Sequence, residues 1–338
     1  MDLFAFTRAL VDIESVTGNE ERATVFVADF LTRAGFQVEL WEVEPHRANI
    51  FARLGQPLTV LSTHLDTVPP FIPSSEDEHY IYGRGACDAK GIVAAQVFAG
   101  LRLQQQGERD FGLLFLVGEE KNSTGALAAN LRPVGSQFLV NGEPTESRMV
   151  EAGKGTLRVD LVARGRMAHS AYPELGESAI EKLLLALERL RGLPLPHNTR
   201  LGPTTLNIGT LQGGRAPNVV PDHARAELLY RLVEPAVQLR PAIQDAVQGL
   251  AEAQFVLEIP PVFPLVLPGF ATSVVAFTTD IPSLSAWGQP ILFGPGSIHV
   301  AHTEREKIAK QELAAAVAAY ADIVLQTRDP KGGAGKRG

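Results

Sequence analysis

The sequence predicts an α/β protein in which a domain with a mostly parallel sheet is interrupted by an inserted ferredoxin-like α+β domain. Three observations lead there. Apolar strand-like runs alternate with segments of helical period up to residue 154, the pattern of a sheet covered on both faces. The order then becomes β-α-β-β-α-β over 155–264, the split ferredoxin-like unit. Strand–helix alternation resumes after residue 264. The expected domains are therefore 1–154 with 265–338, and 155–264. The length of 338 residues fits two domains at about 150 residues each.

The elements follow in order. Residues 2–15 place Leu3, Phe6, Leu10 and Ile13 at helical spacing. Thr17-Gly18-Asn19-Glu20 reads as a capping box opening a second helix, which buries Phe26, Val27, Phe30 and Leu31 and stops at Gly35. Strands are expected over 37–43, 49–54 and 58–64. A helix over 91–106, a strand over 111–117, a short helix over 124–131 and a strand over 137–140 come next. In the insertion, Leu157, Val159 and Leu161 alternate with polar residues in a strand over 156–163. A helix from Ser178 to Arg191, strands over 204–211 and 223–232, a helix over 236–251 and a strand over 255–259 complete it. A strand over 290–293 and a helix over 304–326 close the chain, and the Gly- and Lys-rich 329–338 is expected to be disordered.

Composition narrows the class. Hydrophobic residues at 45% and charged residues at 20% exclude disorder across the chain. With 31 Lys and Arg against 38 Asp and Glu, the net charge of −7 argues against a nucleic-acid partner. No apolar run reaches the roughly 18 residues of a membrane span. The start Met1-Asp2-Leu3-Phe4 lacks a signal-peptide pattern. Cys87 is the single cysteine, so no internal disulfide can form, and a cytoplasmic location is expected.

Candidate chemistry sits at strand ends, where open α/β sheets bind ligands. The strand over 58–64 runs into His64-Leu65-Asp66, and that over 111–117 into Gly118-Glu119-Glu120. Residues 137–140 lead into Asn141-Gly142-Glu143-Pro144, and 290–293 into Gly294-Pro295-Gly296 and then Ala301-His302. Asp88 joins from a loop before a helix. An acid in a loop is ordinarily a solvated charge or a cap, but this many at corresponding places form a set. Clustered carboxylates repel unless cations hold them together. Histidine with carboxylates and no thiolate suits zinc, cobalt or manganese.

These motifs, with Ser62-Thr63 before His64, Gly83-Arg84-Gly85 before Asp88-Ala89-Lys90-Gly91, and Gly142-Glu143-Pro144-Thr145, resemble the M20 family of dinuclear metallo-hydrolases. That family includes acetylornithine deacetylase, succinyl-diaminopimelate desuccinylase and the glutamate carboxypeptidases. The likeness covers nearly the whole chain. It implies two divalent ions, zinc first, with His64 and Glu143 on one, Glu120 and His302 on the other, and Asp88 bridging. It also implies that Asp66 clamps the second nitrogen of His64 and that Glu119 is the general base. Three ligand carboxylates leave two dications with net positive charge, which favours deprotonation of a bound water.

The resemblance extends to the insertion, expected to be a lid and dimerisation domain. His169, in Met167-Ala168-His169-Ser170, looks like the histidine that reaches a partner's active site, implying a homodimer. Asn218, Arg231, Gly294 and Gly296 resemble positions that contact substrate. Taken alone, His169 would be a surface-loop histidine and Arg231 a solvated charge. Cys87 reads as a packing residue, and His46, His79, His197, His223 and His299 match no ligand position. Ala89 stands where the family commonly has Met, and Glu306 keeps an acid the family has after the final histidine.

The implied activity is hydrolysis of the amide bond of an N-acyl amino acid. Glu at position 143 goes with deacylases and carboxypeptidases in this family, and Arg231 could pair with a substrate carboxylate. The alternatives are a carboxypeptidase or dipeptidase acting on short peptides, or a non-catalytic metal-binding homologue. No Gly-x-Ser-x-Gly, phosphate-binding Gly-Lys-Ser/Thr loop or dinucleotide fingerprint occurs.

Overall fold

A computed structural model describes residues 1–328; the disorder expected for 329–338 lies outside the described residues. The chain forms two compact units, one of Met1–Glu151, Phe263–Ser273 and Thr279 onward, the other of Ala152–Val262 and Val274–Thr278.

The first unit is built on a six-stranded sheet in the order Gln37–Glu44, Arg47–Leu54, Phe111–Leu116, Thr59–His64, Phe138–Asn141, Gln289–Leu292. Every residue of Phe111–Leu116 and Thr59–His64 is buried, as central strands covered on both faces must be. Side-chain alternation divides the core. Leu113 and Phe115 join Phe6, Leu10, Val27, Leu31, Val93 and Val97, from the helices Leu3–Val11, Glu21–Arg33 and Lys90–Gln105. Leu114 and Leu116 face the other way, onto Trp41, Phe51, Ala126 and Trp287. The last four strands in that order pair in parallel, so their carboxyl ends lie along one edge. Gln37–Glu44 and Arg47–Leu54 pair antiparallel, because a two-residue turn with His46 at φ +64° joins them.

Three local expectations fail for identifiable reasons. No capping box opens Glu21–Arg33, whose N-cap is Glu20 without a side-chain cap. The Thr17 hydroxyl instead donates to Asp66, and the Glu20 carboxylate accepts two bonds from Arg47, at 2.6 and 2.8 Å. The final helix is Lys310–Arg328 rather than 304–326, because Lys307–Ala309 is a strand paired with Tyr80–Tyr82. The helix expected over 236–251 is only Leu239–Val247: Pro241 is tolerated in its first turn, and Gly249, at φ +77°, lies just past its end.

The second unit is a four-stranded antiparallel sheet in the order Thr205–Gly213, His223–Leu232, Gly155–Arg164, Glu252–Ile259. That is the ferredoxin-like arrangement. Strict alternation along His223–Leu232 buries Leu228, Tyr230 and Leu232 on one face, against Leu183, Leu187 and Leu190 of the helix Ala179–Arg191. Ser178 caps that helix by accepting from the Glu181 N–H at 3.2 Å.

Candidate metal centre

Four aligned strand ends lead into the segments that carry His64, Glu120, Glu143 and His302, and the loop before the helix Lys90–Gln105 brings Asp88. His64 ends its strand, and the parallel register sets it opposite Leu116, whose chain turns at Gly118 into Glu119-Glu120. Gly118 has φ +80°, and a Cβ there would lie 2.5 Å from the Thr124 hydroxyl, so the sharp exit requires glycine. Asn141 pairs with Leu292 one strand further along, placing Glu143 beside Gly294. A Cβ on Gly294 would come within 2.3 Å of the Glu143 carbonyl oxygen.

Asp88 sits between two histidines. His64 Nε2 is 3.1 Å from Asp88 Oδ1, and His302 Nε2 is 3.3 Å from Asp88 Oδ2. His302 Nε2 also lies 3.0 Å from the Glu120 carboxylate. Two donor sets result, His64–Asp88–Glu143 and Asp88–Glu120–His302, each with ligand atoms within 4.8 Å of one another. Asp88 is common to both, one oxygen toward each. Glu143 is 4% exposed, and its Oε1 has no hydrogen-bond partner. A buried carboxylate oxygen without a donor is costly unless a cation meets it. The oxygen and nitrogen donors fit divalent zinc, cobalt or manganese.

The electrostatics agree with a cation-binding site. Burial, then the charges of neighbouring acids, push the Glu143 carboxyl well above the usual range. Burial does the same for Glu119, with Asp280, Glu120 and Asp88 adding to it against the opposing charge of His64. Burial opposes the charged form of His64, but hydrogen bonds to Asp66 and Asp88 outweigh it and hold its pKa well above the imidazole range. Hydrogen bonds to Asp88 and Glu120 raise His302 to about 10. Acids crowded and buried in this way resist carrying charge together, and divalent cations would relieve that repulsion.

Asp66 acts somewhat differently from the expected clamp. His64 Nδ1 donates to the Asp66 backbone carbonyl at 3.0 Å, and the carboxylate is 3.5 Å away. That carboxylate mainly holds the neighbouring loop, accepting from the N–H groups of Glu119 at 3.0 Å and Glu120 at 3.2 Å and from the Thr17 hydroxyl at 2.8 Å.

The remaining expected site residues divide by unit. Gly294 and Gly296 are buried in the first; a Cβ on Gly296 would lie 2.5 Å from Cys87 Sγ. His169, Asn218 and Arg231 belong to the second. His169 and Asn218 are exposed on facing loops, joined where the Ser170 N–H donates to the Asn218 carbonyl at 3.0 Å. Arg231, half-buried on its strand, donates to the Thr156 hydroxyl at 3.0 Å.

One acidic neighbour escapes sequence reasoning. Asp280 is 1% exposed, has an unpartnered Oδ1, and burial raises its carboxyl to about 6. Standing before Ile281-Pro282, it reads in sequence as an ordinary helix cap, and only the fold brings its charge near Glu119.

Comparisons with known proteins fit this geometry. The sequence profile of Peptidase family M20/M25/M40 matches residues 60–326. A peptidase M20 domain-containing protein of Schizosaccharomyces pombe is 39% identical over 337 residues, covering 96% of this chain and 84% of the relative. A protein of Aspergillus clavatus named a probable carboxypeptidase is 40% identical over 369 residues, covering 95% of this chain and 82% of the relative. Among solved structures, aminopeptidase PepT from Bacillus cereus superposes with a TM-score of 0.80 at 23% identity, covering 97% of this chain and 98% of that one; this likeness is one of fold.

Proposed function

The chain belongs to peptidase family M20/M25/M40 and is a metallo-hydrolase, and we propose that it hydrolyses peptides as a carboxypeptidase or dipeptidase with two zinc ions. The observation that carries this reading is the pair of donor sets meeting at Asp88, with Glu119 next to a donor in sequence yet outside both sets. Deacylation of N-acyl amino acids is the first expectation from sequence. The relative named a probable carboxypeptidase, 40% identical across 95% of the chain, favours the peptidase alternative.

When bound, the two cations polarise the scissile carbonyl and lower the pKa of water. The residues supply the rest. His64 and Glu143 would hold one ion, Glu120 and His302 the other, and Asp88 both. Glu119 would accept a proton from the attacking water on its carboxylate and pass it to the leaving amine nitrogen. Asp66, bonded to the Glu119 N–H, holds that carboxylate in register. Arg231 has no carboxylate partner among the described residues, which supports a role in binding a substrate carboxylate.

His169 would act across a homodimer, a reading supported by the exposed strand Thr205–Gly213 at the edge of its sheet. Mixing His169→Ala with Glu119→Gln under subunit exchange should restore partial activity; no recovery despite exchange removes the trans role. Zinc rather than cobalt or manganese, and a cytoplasmic location, belong to the same reading; a free, buried Cys87 is compatible with the latter.

The test is hydrolysis by the zinc-loaded protein of free dipeptides, N-blocked dipeptides, C-amidated dipeptides and N-acetyl amino acids. Turnover of peptides with a free carboxylate, and none of the amidated set, is expected. Cleavage confined to N-acetyl amino acids would make the protein a deacylase. No turnover with both ions bound would make it a non-catalytic homologue.

A further inference from the structure

Glu306 follows His302 by four residues, and its side chain is 2% exposed. Its Oε1 accepts from three N–H groups of one loop, those of Gly85 at 2.9 Å, Cys87 at 3.2 Å and Asp88 at 3.0 Å. Its Oε2 accepts from Arg84 Nη1 at 2.6 Å. The Glu306 carbonyl accepts in addition from the Gly83 N–H at 3.1 Å. Arg84, equally buried, donates onward to the carbonyl of Thr303, the residue after His302, at 3.3 Å. One carboxylate from the His302 segment thus gathers the backbone of the Asp88 segment, and an arginine returns the connection.

A buried ion pair is weak evidence of stabilisation by itself, because the loss of water offsets the attraction. What distinguishes this one is where the second oxygen goes. Three convergent backbone N–H groups form an anion-binding nest, and the last of them belongs to the residue shared by both donor sets. Because Glu306 holds the N–H of Asp88 and not its carboxylate, Oδ1 and Oδ2 remain directed at His64 and His302.

We propose that Glu306 is a positioning residue of the metal centre: it fixes the Asp88 backbone against the His302 segment and so sets the affinity for the ion held by Asp88, Glu120 and His302. This rests on the two-ion reading above. If the wild-type protein bound fewer than two ions, that reading would fail, and the role of Glu306 would be judged on the single ion.

The test is Glu306→Gln, which preserves volume but leaves one acceptor. If the amide oxygen takes the nest, its nitrogen opposes Arg84; if it turns to Arg84, three buried N–H groups lose their acceptor. Zinc binding is measured by titration against a competing chelator, with the melting temperature of metal-free protein as the folding control. The expected result is a folded protein in which the ion bound by Asp88, Glu120 and His302 is weakened about 10–100-fold, the usual effect of losing such a support. Cobalt loading should show the same loss as a changed absorption spectrum at that ion. Wild-type affinity for both ions in folded protein would overturn the proposal. If Glu306→Gln does not fold, Glu306→Gln with Arg84→Met leaves no buried charge alone and is read the same way: weakened binding supports the role, wild-type binding refutes it.

Discussion

Replacing Asp66 by Asn tests how the base is held. The Asp66 carboxylate accepts from the Glu119 N–H on Oδ1, and from the Glu120 N–H and the Thr17 hydroxyl on Oδ2. An amide has one acceptor. The better orientation keeps it toward Glu120 and Thr17 and turns Nδ2 toward the Glu119 N–H, donor against donor. A buried N–H left without an acceptor costs about 1–3 kcal/mol. At about 1.36 kcal/mol per tenfold, that is roughly a 5- to 150-fold loss if it falls on the active conformation. The range overlaps the roughly 10–100-fold loss typical when a support of metal ligands is removed. The assay is kcat/KM on a cleaved dipeptide at saturating zinc. The loss should fall mainly on kcat, because Asp66 touches the base loop and not the substrate. Thr17→Val, which keeps both backbone bonds, should lose less. An Asp66→Asn enzyme with wild-type kcat and both ions bound would refute this role.

Three further outcomes are expected. Glu119→Gln should retain its metal and lose about 100-fold or more in kcat, the scale of general acid–base catalysis; wild-type turnover would remove Glu119 from the mechanism. The His302 proton is held more tightly in folded, metal-free protein, at about 10, than in the unfolded chain at 6.5. Its stabilising contribution is therefore complete below pH 6.5 and disappears as pH rises through about 10. Zinc must displace that proton, so zinc affinity should climb with pH across this window, and calorimetry in buffers of different ionisation heat should detect proton release. Removing zinc with a chelator should lower the melting temperature relative to protein at a hundredfold excess over Kd, where the linkage is about 2.7 kcal/mol; identical melting curves would contradict a preformed site.

Much of the fold can be read from local pattern. The run that becomes Phe111–Leu116 has no polar side chain, which is what burial on two faces demands, whereas Thr59–His64 is equally buried with only Val60 and Leu61 apolar; the motifs begin where both strands stop. The antiparallel side of the sheet is less legible, since direction depends on the length of a turn and not on periodicity. Thr17 and Glu20 have capping chemistry but find stronger partners far away in sequence, in Asp66 and Arg47. Lys307–Ala309 is too short to separate from the helix that follows it. The same holds at the metal centre. His64, Glu120 and Glu143 announce themselves at strand ends, whereas the bond from Asp88 to Glu306 spans 218 positions. Asp280 shows its environment only when the fold buries it.

The most direct measurement is crystallographic: anomalous scattering at the zinc absorption edge from zinc-loaded crystals. The account predicts two peaks about 3.5–4 Å apart, the spacing of two-metal sites, one against each oxygen of Asp88. One peak should lie within bonding reach of His64 and Glu143, the other of Glu120 and His302. A single peak, or peaks that leave Asp88 uncoordinated, would contradict the shared two-ion centre on which the proposed hydrolysis depends.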